Sequence, residues 1–393
     1  MDYANVLRDL IAIDTSVPPG LNYEKAIDYL EPLFLQVGCT TQKVAIPREH
    51  CDGNEARVNL LAHRRSTGKL RLIFYSHIDV VPAAGWPAFV PEVTSDKIHG
   101  RGAADMKGAI PALLMALEAT RTDVPEYDIS VMVTTDEETG QADQISYLGQ
   151  FLQPLEGAYV HSLDSDFGYV SIAALGAIHM EVRVKGKSVH SGLSHLGENA
   201  VEQASLVVNA LMKLKKKVTA RESKVAAHPS TGLTHMVPRL NMNMIHGGLK
   251  VNIVPDECII AVDRRLIPEE NVEDAERELM QTLESVKGVT WEVATIFRIP
   301  TVPPFEDPIT DKLAGVIGEV TGSTGKYGEM GSGDFGPIVC NEWKAKLYGL
   351  GVIRAGCNIH GKGEFVYRKD IEDLATVITR FIAPKSVSNS LLL

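Results

Sequence analysis

The sequence predicts an α/β protein: a mostly parallel sheet flanked by helices, interrupted by an inserted α/β unit. Three observations carry this. Short apolar runs alternate with helix-period segments through the first 176 residues, as in a parallel sheet covered on both faces. From about Ala177 the order becomes β-α-β-β-α-β, the ferredoxin-like unit, complete in itself. After the Pro-rich connector "RIPTVPPFEDP", helix and strand signals resume.

Taken in order, "YEKAIDYLEPLFLQVG" has helical apolar spacing, and "LRLIFYSHIDVV", "YDISVMVTT" and "GAYVHSLDS" read as short buried strands. Between the first two strands lies "ADMKGAIPALLMALEATR", where Ile110, Leu113, Leu114 and Leu117 form an apolar stripe. Its Pro111 is predicted near the first turn, where a missing N–H is tolerated. In the insertion, "IHMEVRVKG" alternates as a half-exposed strand and "NAVEQASLVVNALMKL" is helical. "HMVPRLNMNMIHGG" and "VNIVPDECIIAVDRRLI" read as strands joined through Gly247-Gly248, followed by the helix "NVEDAERELMQTLESV" and the strand "VTWEVATI". "KAKLYGLGV" and the helix "KDIEDLATVITRFIA" complete the outer domain, and the tail "SVSNSLLL" reads as disordered. The predicted division is 1–176, 177–297 and 298–393, the outer two segments forming one domain.

With 393 residues, 45% of them apolar, the chain can bury large cores. No apolar run approaches the roughly 20 residues that span a bilayer, and "MDYANVLRDL" has neither a basic start nor an apolar core of a signal sequence. No membrane association and a cytoplasmic location are expected. The net charge of −11 argues against a nucleic-acid partner, and "KLKKK" at 213–217 reads as the solvated end of an amphipathic helix. Five widely spaced cysteines without a CxxC pair read as free or buried thiols.

Ligand sites in parallel sheets form at the carboxyl ends of strands. His77-Ile78-Asp79 follows one strand, Asp136-Glu137-Glu138 the next, and Asp164 a third. Asp105 stands in the loop "GRGAADMKG" and His360 in "GCNIHGKGEF". A single His-x-Asp or Glu-Glu at a strand end is usually an ordinary surface feature. Five segments bringing a carboxylate or imidazole to one sheet edge are a different matter. Crowded carboxylates become tolerable around a cation, and mixed His and Asp/Glu donors suit zinc or a similar first-row ion. Because strand side chains alternate, His77 and Asp79 share a face, so Asp79 can accept the second imidazole N–H.

These motifs, "SHIDVVP" with Trp86, "GRGAADMKG", "TTDEETG", the Asp164 segment, "GKSVHSG" and "HGKGEFV", resemble in order and spacing the co-catalytic zinc amidohydrolases and exopeptidases. That family includes acetylornithine deacetylase, succinyl-diaminopimelate desuccinylase, aminoacylase and glutamate carboxypeptidase. The resemblance spans nearly the whole chain. It implies a zinc-exopeptidase-like catalytic domain, with the insertion as a lid that also dimerises. It further implies two zinc ions, with cobalt or manganese as substitutes, bridged by Asp105 beside a cis peptide to Met106. One ion adds Glu138 and His360, the other His77 and Asp164. Glu137 is then the general base, relaying a proton from the activated water to the leaving amine.

One departure stands out: the family's deacylases commonly carry Glu-Pro where this chain has "HSLDSDFG". Asp occurs there in some peptidase branches, and Asp166 is the rival ligand. Asp136 receives no role beyond a capping or solvated carboxylate. In the insertion, His190 matches a histidine that reaches across the dimer to polarise the scissile carbonyl. Asn252 and Arg265 match positions that contact the substrate carboxylate, with a structural salt bridge from Arg265 to Asp263 or Glu269 as the close alternative. In "GEMGSGDFG" a glycine replaces the usual Thr, leaving Ser332 and Asp334 as weak candidates. The function so implied is hydrolysis of the amide bond of an N-acyl amino acid by a homodimer, the runner-up being a dipeptidase or carboxypeptidase. A catalytically idle binding protein should have lost a ligand or the base, and all six residues are present.

Overall fold

The strand Leu70–His77 carries the apolar run Leu72–Tyr75 and is buried from its second residue onward, as befits a strand covered on both faces. In the computed structural model, which describes residues 2–51, 53–66, 70–123 and 126–383, it lies in an eight-stranded sheet. The strand order is Thr40–Ile46, Arg57–Arg64, Tyr127–Thr134, Leu70–His77, Tyr159–Ser162, Lys346–Gly349, Val170–Ala174, Lys326–Glu329. Tyr127–Thr134, Leu70–His77, Tyr159–Ser162 and Lys346–Gly349 are mutually parallel. Arg57–Arg64 is antiparallel to both its neighbours, so the sheet is mixed. The tail expected to be disordered lies outside the described residues.

Register explains why chemistry collects at one edge. His77 pairs with Thr134, so the residues just past Thr134 emerge beside His77. Tyr75 pairs with Ser162, which brings Asp164, two residues on, level with His77. One face of the sheet packs Leu61, Ile73, Tyr75, Met132 and Val160 against Ile145, Leu148, Phe335 and Trp343. The helix Ala109–Ala119, with Pro111 in its first turn, is buried almost all round, as expected of an interior helix; it packs against Arg368–Ile382.

The chain divides into two compact units, Met1–Ile172 with Phe305–Tyr327 and Asp334–Leu393, and Ala173–Pro304 with Gly328–Gly333. The second therefore takes in a short later segment that the sequence assigns to the outer domain; Glu329 and Gly328 are tied to it through the hydrogen bonds Leu175 N to Glu329 O and Gly328 N to Ala226 O. Its four-stranded antiparallel sheet runs Arg239–Gly247, Glu257–Leu266, Gly176–Lys185, Thr290–Ile299. In order of sequence this is 2-3-1-4, the ferredoxin-like arrangement. Helices Ala200–Val218 and Val272–Glu284 start at Asn199 and Asn271, whose side chains accept the first backbone N–H groups. Their apolar faces join Ile178, Met180, Val182, Ile260 and Val262 in one core. The strand expected from Val251 begins only at Glu257: Pro255, which has no N–H to give a ladder, separates it from the two-residue strand Ile253–Val254. Lys213, Lys216 and Lys217 are exposed at the end of their helix.

Candidate metal centre

His77 closes its strand fully buried. Its Nδ1 lies 3.2 Å from the main-chain carbonyl of Asp79 and 3.4 Å from the Asp79 carboxylate. The sequence reading gave the carboxylate that contact; the carbonyl is the nearer acceptor, and Asp79 Oδ2 instead accepts from the Glu138 N–H at 3.0 Å. Either way the other ring nitrogen, Nε2, faces a group of carboxylates. It lies 3.5 Å from Asp105 Oδ1, 3.8 Å from Asp164 Oδ2 and 4.0 Å from Glu137 Oε2.

Asp105 sits in the turn Ala103–Lys107 beside a cis peptide to Met106. Its second oxygen, Oδ2, is 3.1 Å from His360 Nε2, and Glu138 Oε2 is 3.0 Å from the same nitrogen. Two donor sets result, His77–Asp105–Asp164 and Asp105–Glu138–His360, each with its donor atoms within 4.8 Å of one another. Asp105 belongs to both and turns a different oxygen toward each imidazole. Asp166 lies instead in a backbone bridge with Ile353 and is in neither set.

Two observations test whether these residues fit divalent ions. His77 Nε2 is buried without a hydrogen-bond partner, the kind of orphan that needs an explanation. Zinc–ligand bonds of about 2.0–2.2 Å in a tetrahedron separate the donors by about 3.4 Å, close to the 3.0–3.8 Å seen between each imidazole and its carboxylates. The residues fit.

The charges here are strongly coupled. Burial pushes the His77 imidazolium down, but the carboxylates of Asp79, Asp105 and Asp164 outweigh it and raise its pKa well above the ordinary value. Hydrogen bonds to Asp105 and Glu138 raise His360 to about 10. Burial favours the neutral form of Asp105, yet His360 and His77 hold it well below the usual carboxylate range. Glu137 is pushed well up, chiefly by burial and, against His77, by Asp164, Asp105 and Glu138. A divalent cation among them would reverse that push.

Asp136 is neither a cap nor solvated, contrary to the sequence reading. It is fully buried and accepts from Arg57 Nε at 2.8 Å, Tyr23 Oη at 2.8 Å and Gln144 Nε2 at 2.9 Å. Asp334 holds the other flank of the same turn, accepting from Gln141 N at 2.7 Å and Ala142 N at 2.9 Å; it supports the helix Ala142–Leu148. Motif reading missed both roles: Arg57, with Glu55, Asn59, His63 and Arg64 nearby in sequence, carries no mark of a buried partner.

The remaining candidates lie in the second unit. His190 is exposed, pairs with Ile253 in a two-stranded ribbon, and its Nδ1 accepts from Gly192 N at 3.1 Å. That places the proton of a neutral ring on Nε2. Asn252 adjoins it, its carbonyl accepting from Ser191 N at 3.0 Å. Arg265 does form the salt bridge to Asp263, at 2.8 Å, and its Nη1 reaches Ser332 Oγ at 3.2 Å; Glu269 is engaged instead with Ser223 and Lys224 N.

A mixed α/β sheet whose strand ends gather two overlapping His–carboxylate sets, joined to a ferredoxin-like insertion, defines a metal-dependent hydrolase of amide bonds. The sequence profile of peptidase family M20/M25/M40 matches residues 73–383. The chain belongs to that family of metallopeptidases and amidohydrolases. It is 27% identical over 350 residues to a succinyl-diaminopimelate desuccinylase of Marinobacter nauticus, covering 82% of this chain and 85% of that one. Among solved structures, an M20 family metallo-carboxypeptidase of Sulfolobus solfataricus superposes with a TM-score of 0.76 at 16% identity, covering 97% and 98% of the two chains. A dinuclear metal-binding M20 peptidase of Bacillus subtilis gives 0.65 at 11% identity, with 96% of each covered. At these identities the structures show a shared fold.

Proposed function

We propose that the chain hydrolyses the amide bond of an N-acyl amino acid, using two zinc ions held by His77, Asp105 and Asp164 and by Asp105, Glu138 and His360. The observation that carries this is the division of Asp105, one oxygen toward each histidine, with Glu137 within 4.0 Å of His77 Nε2. Bound there, the ions would activate a water and polarise the scissile carbonyl. Asp79 steadies the His77 ring through its carbonyl and the Glu138 backbone through its carboxylate. Glu137, the nearby carboxylate assigned to neither donor set, takes a proton from the water and delivers it to the leaving amine. We assign His190, with its proton on Nε2, as donor to the developing oxyanion. Arg265, Asn252 and Ser332 are assigned to the substrate carboxylate; among the described residues no hydrogen bond of Arg265 Nη2 is seen, which leaves the N–H groups of that nitrogen for the purpose.

The runner-up is a dipeptidase or carboxypeptidase, favoured by Asp rather than Glu at position 164 and by the likeness to a metallo-carboxypeptidase. Zinc- or cobalt-loaded protein assayed on N-succinyl-diaminopimelate, N-acetylornithine, N-acetylmethionine and a set of dipeptides separates the two. Preference for dipeptides by tenfold or more in kcat/KM would overturn the deacylase reading.

A homodimer through the second unit is part of this proposal. Arg239–Gly247 is an edge strand, and along it and the following turn Met244, Ile245, Leu249 and Val251 are exposed, the last two at 97% and 98%. An apolar, unpaired edge is a ready surface for a second copy. Light scattering should give a dimer mass for the parent and a monomer for Leu249→Glu combined with Val251→Glu; a monomeric parent overturns the dimer. Among the described residues no helix is long and apolar enough to cross a membrane. A reducing, cytoplasmic setting is part of the proposal and rests on five widely spaced cysteines without a CxxC pair.

A further inference from the structure

Arg101 and Glu364 are 2% and 0% exposed and form an ion pair at 2.6 Å between Nη1 and Oε2. A buried pair is costly to desolvate and is weak evidence for stability by itself, so its remaining contacts are informative. Arg101 Nη2 donates to the carbonyl of His360 at 3.1 Å. Glu364 Oε1 accepts from the backbone N–H groups of Ala104 at 3.1 Å and Asp105 at 3.2 Å. His360 itself has φ +60, a conformation that a non-glycine residue keeps only when its surroundings fix it. The pair therefore grips the N–H of Asp105, which both donor sets share, and the C=O of His360, which belongs to the second set alone. Among the described residues, its side-chain hydrogen bonds stay within the segments that carry Asp105 and His360 and do not extend to the strands bearing His77 and Asp164.

We propose that Arg101 and Glu364 are positioning residues that set the affinity of the Asp105–Glu138–His360 site selectively, by fixing one metal-bearing loop against the other. This rests on the two-ion reading above. Groups that orient ligands without touching the metal govern affinity by about 10–100-fold. The chemistry of the pair is also specific. A lysine presents one ammonium and cannot hold Glu364 and the His360 carbonyl in the planar fork that arginine offers. A glutamine has one acceptor and one donor end, so it cannot accept from both Arg101 and the two N–H groups.

The test titrates metal-free, full-length parent, Arg101→Lys and Glu364→Gln with Co²⁺, following visible absorption, with thermal melts of each metal-free protein. His77→Ala and His360→Ala identify which binding event belongs to which site. In both conservative variants the event lost in His360→Ala should weaken tenfold or more, while the event lost in His77→Ala changes less than threefold and the metal-free melt stays cooperative. Equal weakening of both events, no change in either, or a metal-free variant without a folded baseline would overturn the proposal, the last by making the pair a folding element. A parent that takes up fewer than two Co²⁺ sinks the two-ion reading itself; a parent that takes up two, with variants that match it, sinks only this inference.

Discussion

At Asp136 the backbone enters the left-handed region, φ +66, and two adjacent carboxylates part company. Asp136 faces Arg57, Tyr23 and Gln144, whereas Glu137 faces His77. Glu137→Gln keeps the shape and removes the base, so kcat should fall by about 10²–10⁴ while KM and bound metal stay within a few-fold of the parent; activity within a few-fold would end the base assignment. Asp136→Asn leaves the buried Arg57 charge uncompensated, with side-chain exposures of 5% and 0%. Urea unfolding should show a loss of about 3 kcal/mol, with kcat falling as well because the turn carrying Glu137 loosens. The ligands proposed for the ions were legible in the sequence because each stands at a strand end or in a glycine-rich loop, where backbone logic says what faces the edge. The pairs Arg57–Asp136 and Arg101–Glu364 were not, since their members are 79 and 263 residues apart and each alone resembles an ordinary surface charge.

The strand Tyr159–Ser162 carries a second consequence of burial. His161 is fully buried among Phe74, Tyr348 and Phe381, with Nε2 on the Leu350 carbonyl at 3.1 Å. Burial lowers its pKa to about 4, against about 6.5 in an unfolded chain. Between those values the unfolded state binds the extra proton, so stability rises with pH and is lost on acidification from about 6.5 toward 4. His161→Gln removes that titration. The stability gap between parent and variant should shift by about 3 kcal/mol in the variant's favour from pH 7 to pH 4, and parallel pH profiles in chemical denaturation would count against it. Burial of polar side chains also explains which elements the sequence concealed. In Arg57–Arg64 the buried positions include Arg57, Asn59, His63 and Arg64, the last satisfied by the carbonyls of Leu117 and Thr120, so no alternation of apolar and polar residues betrays the strand. Leu70–His77 and the helix Ala109–Ala119, apolar along most of their length, were plain.

Across the whole first unit, donors from position 77 to position 360 meet only when the sheet and its loops are complete, so an ion that binds them binds the folded state. Saturation at about 1,000 times Kd should then add about 4 kcal/mol to stability, read as a rise in Tm that a chelator reverses. The direction with pH follows from the histidines. Hydrogen bonds to Asp105 and Glu138 raise His360 to about 10, so in the metal-free chain at neutral pH that ring holds a proton that coordination must expel; the carboxylates around His77 shift it in the same direction. Protons therefore compete with the metal throughout the neutral range, and affinity should rise about tenfold per pH unit for each proton released. Calorimetric titration of Zn²⁺ at pH 7 in two buffers of different ionisation enthalpy should report at least one proton released per chain, from His360, with any further release coming from His77 and Glu137. Release near zero would mean that the rings are already neutral before the metal arrives, and that Asp105 does not hold the two imidazoles together as their distances indicate.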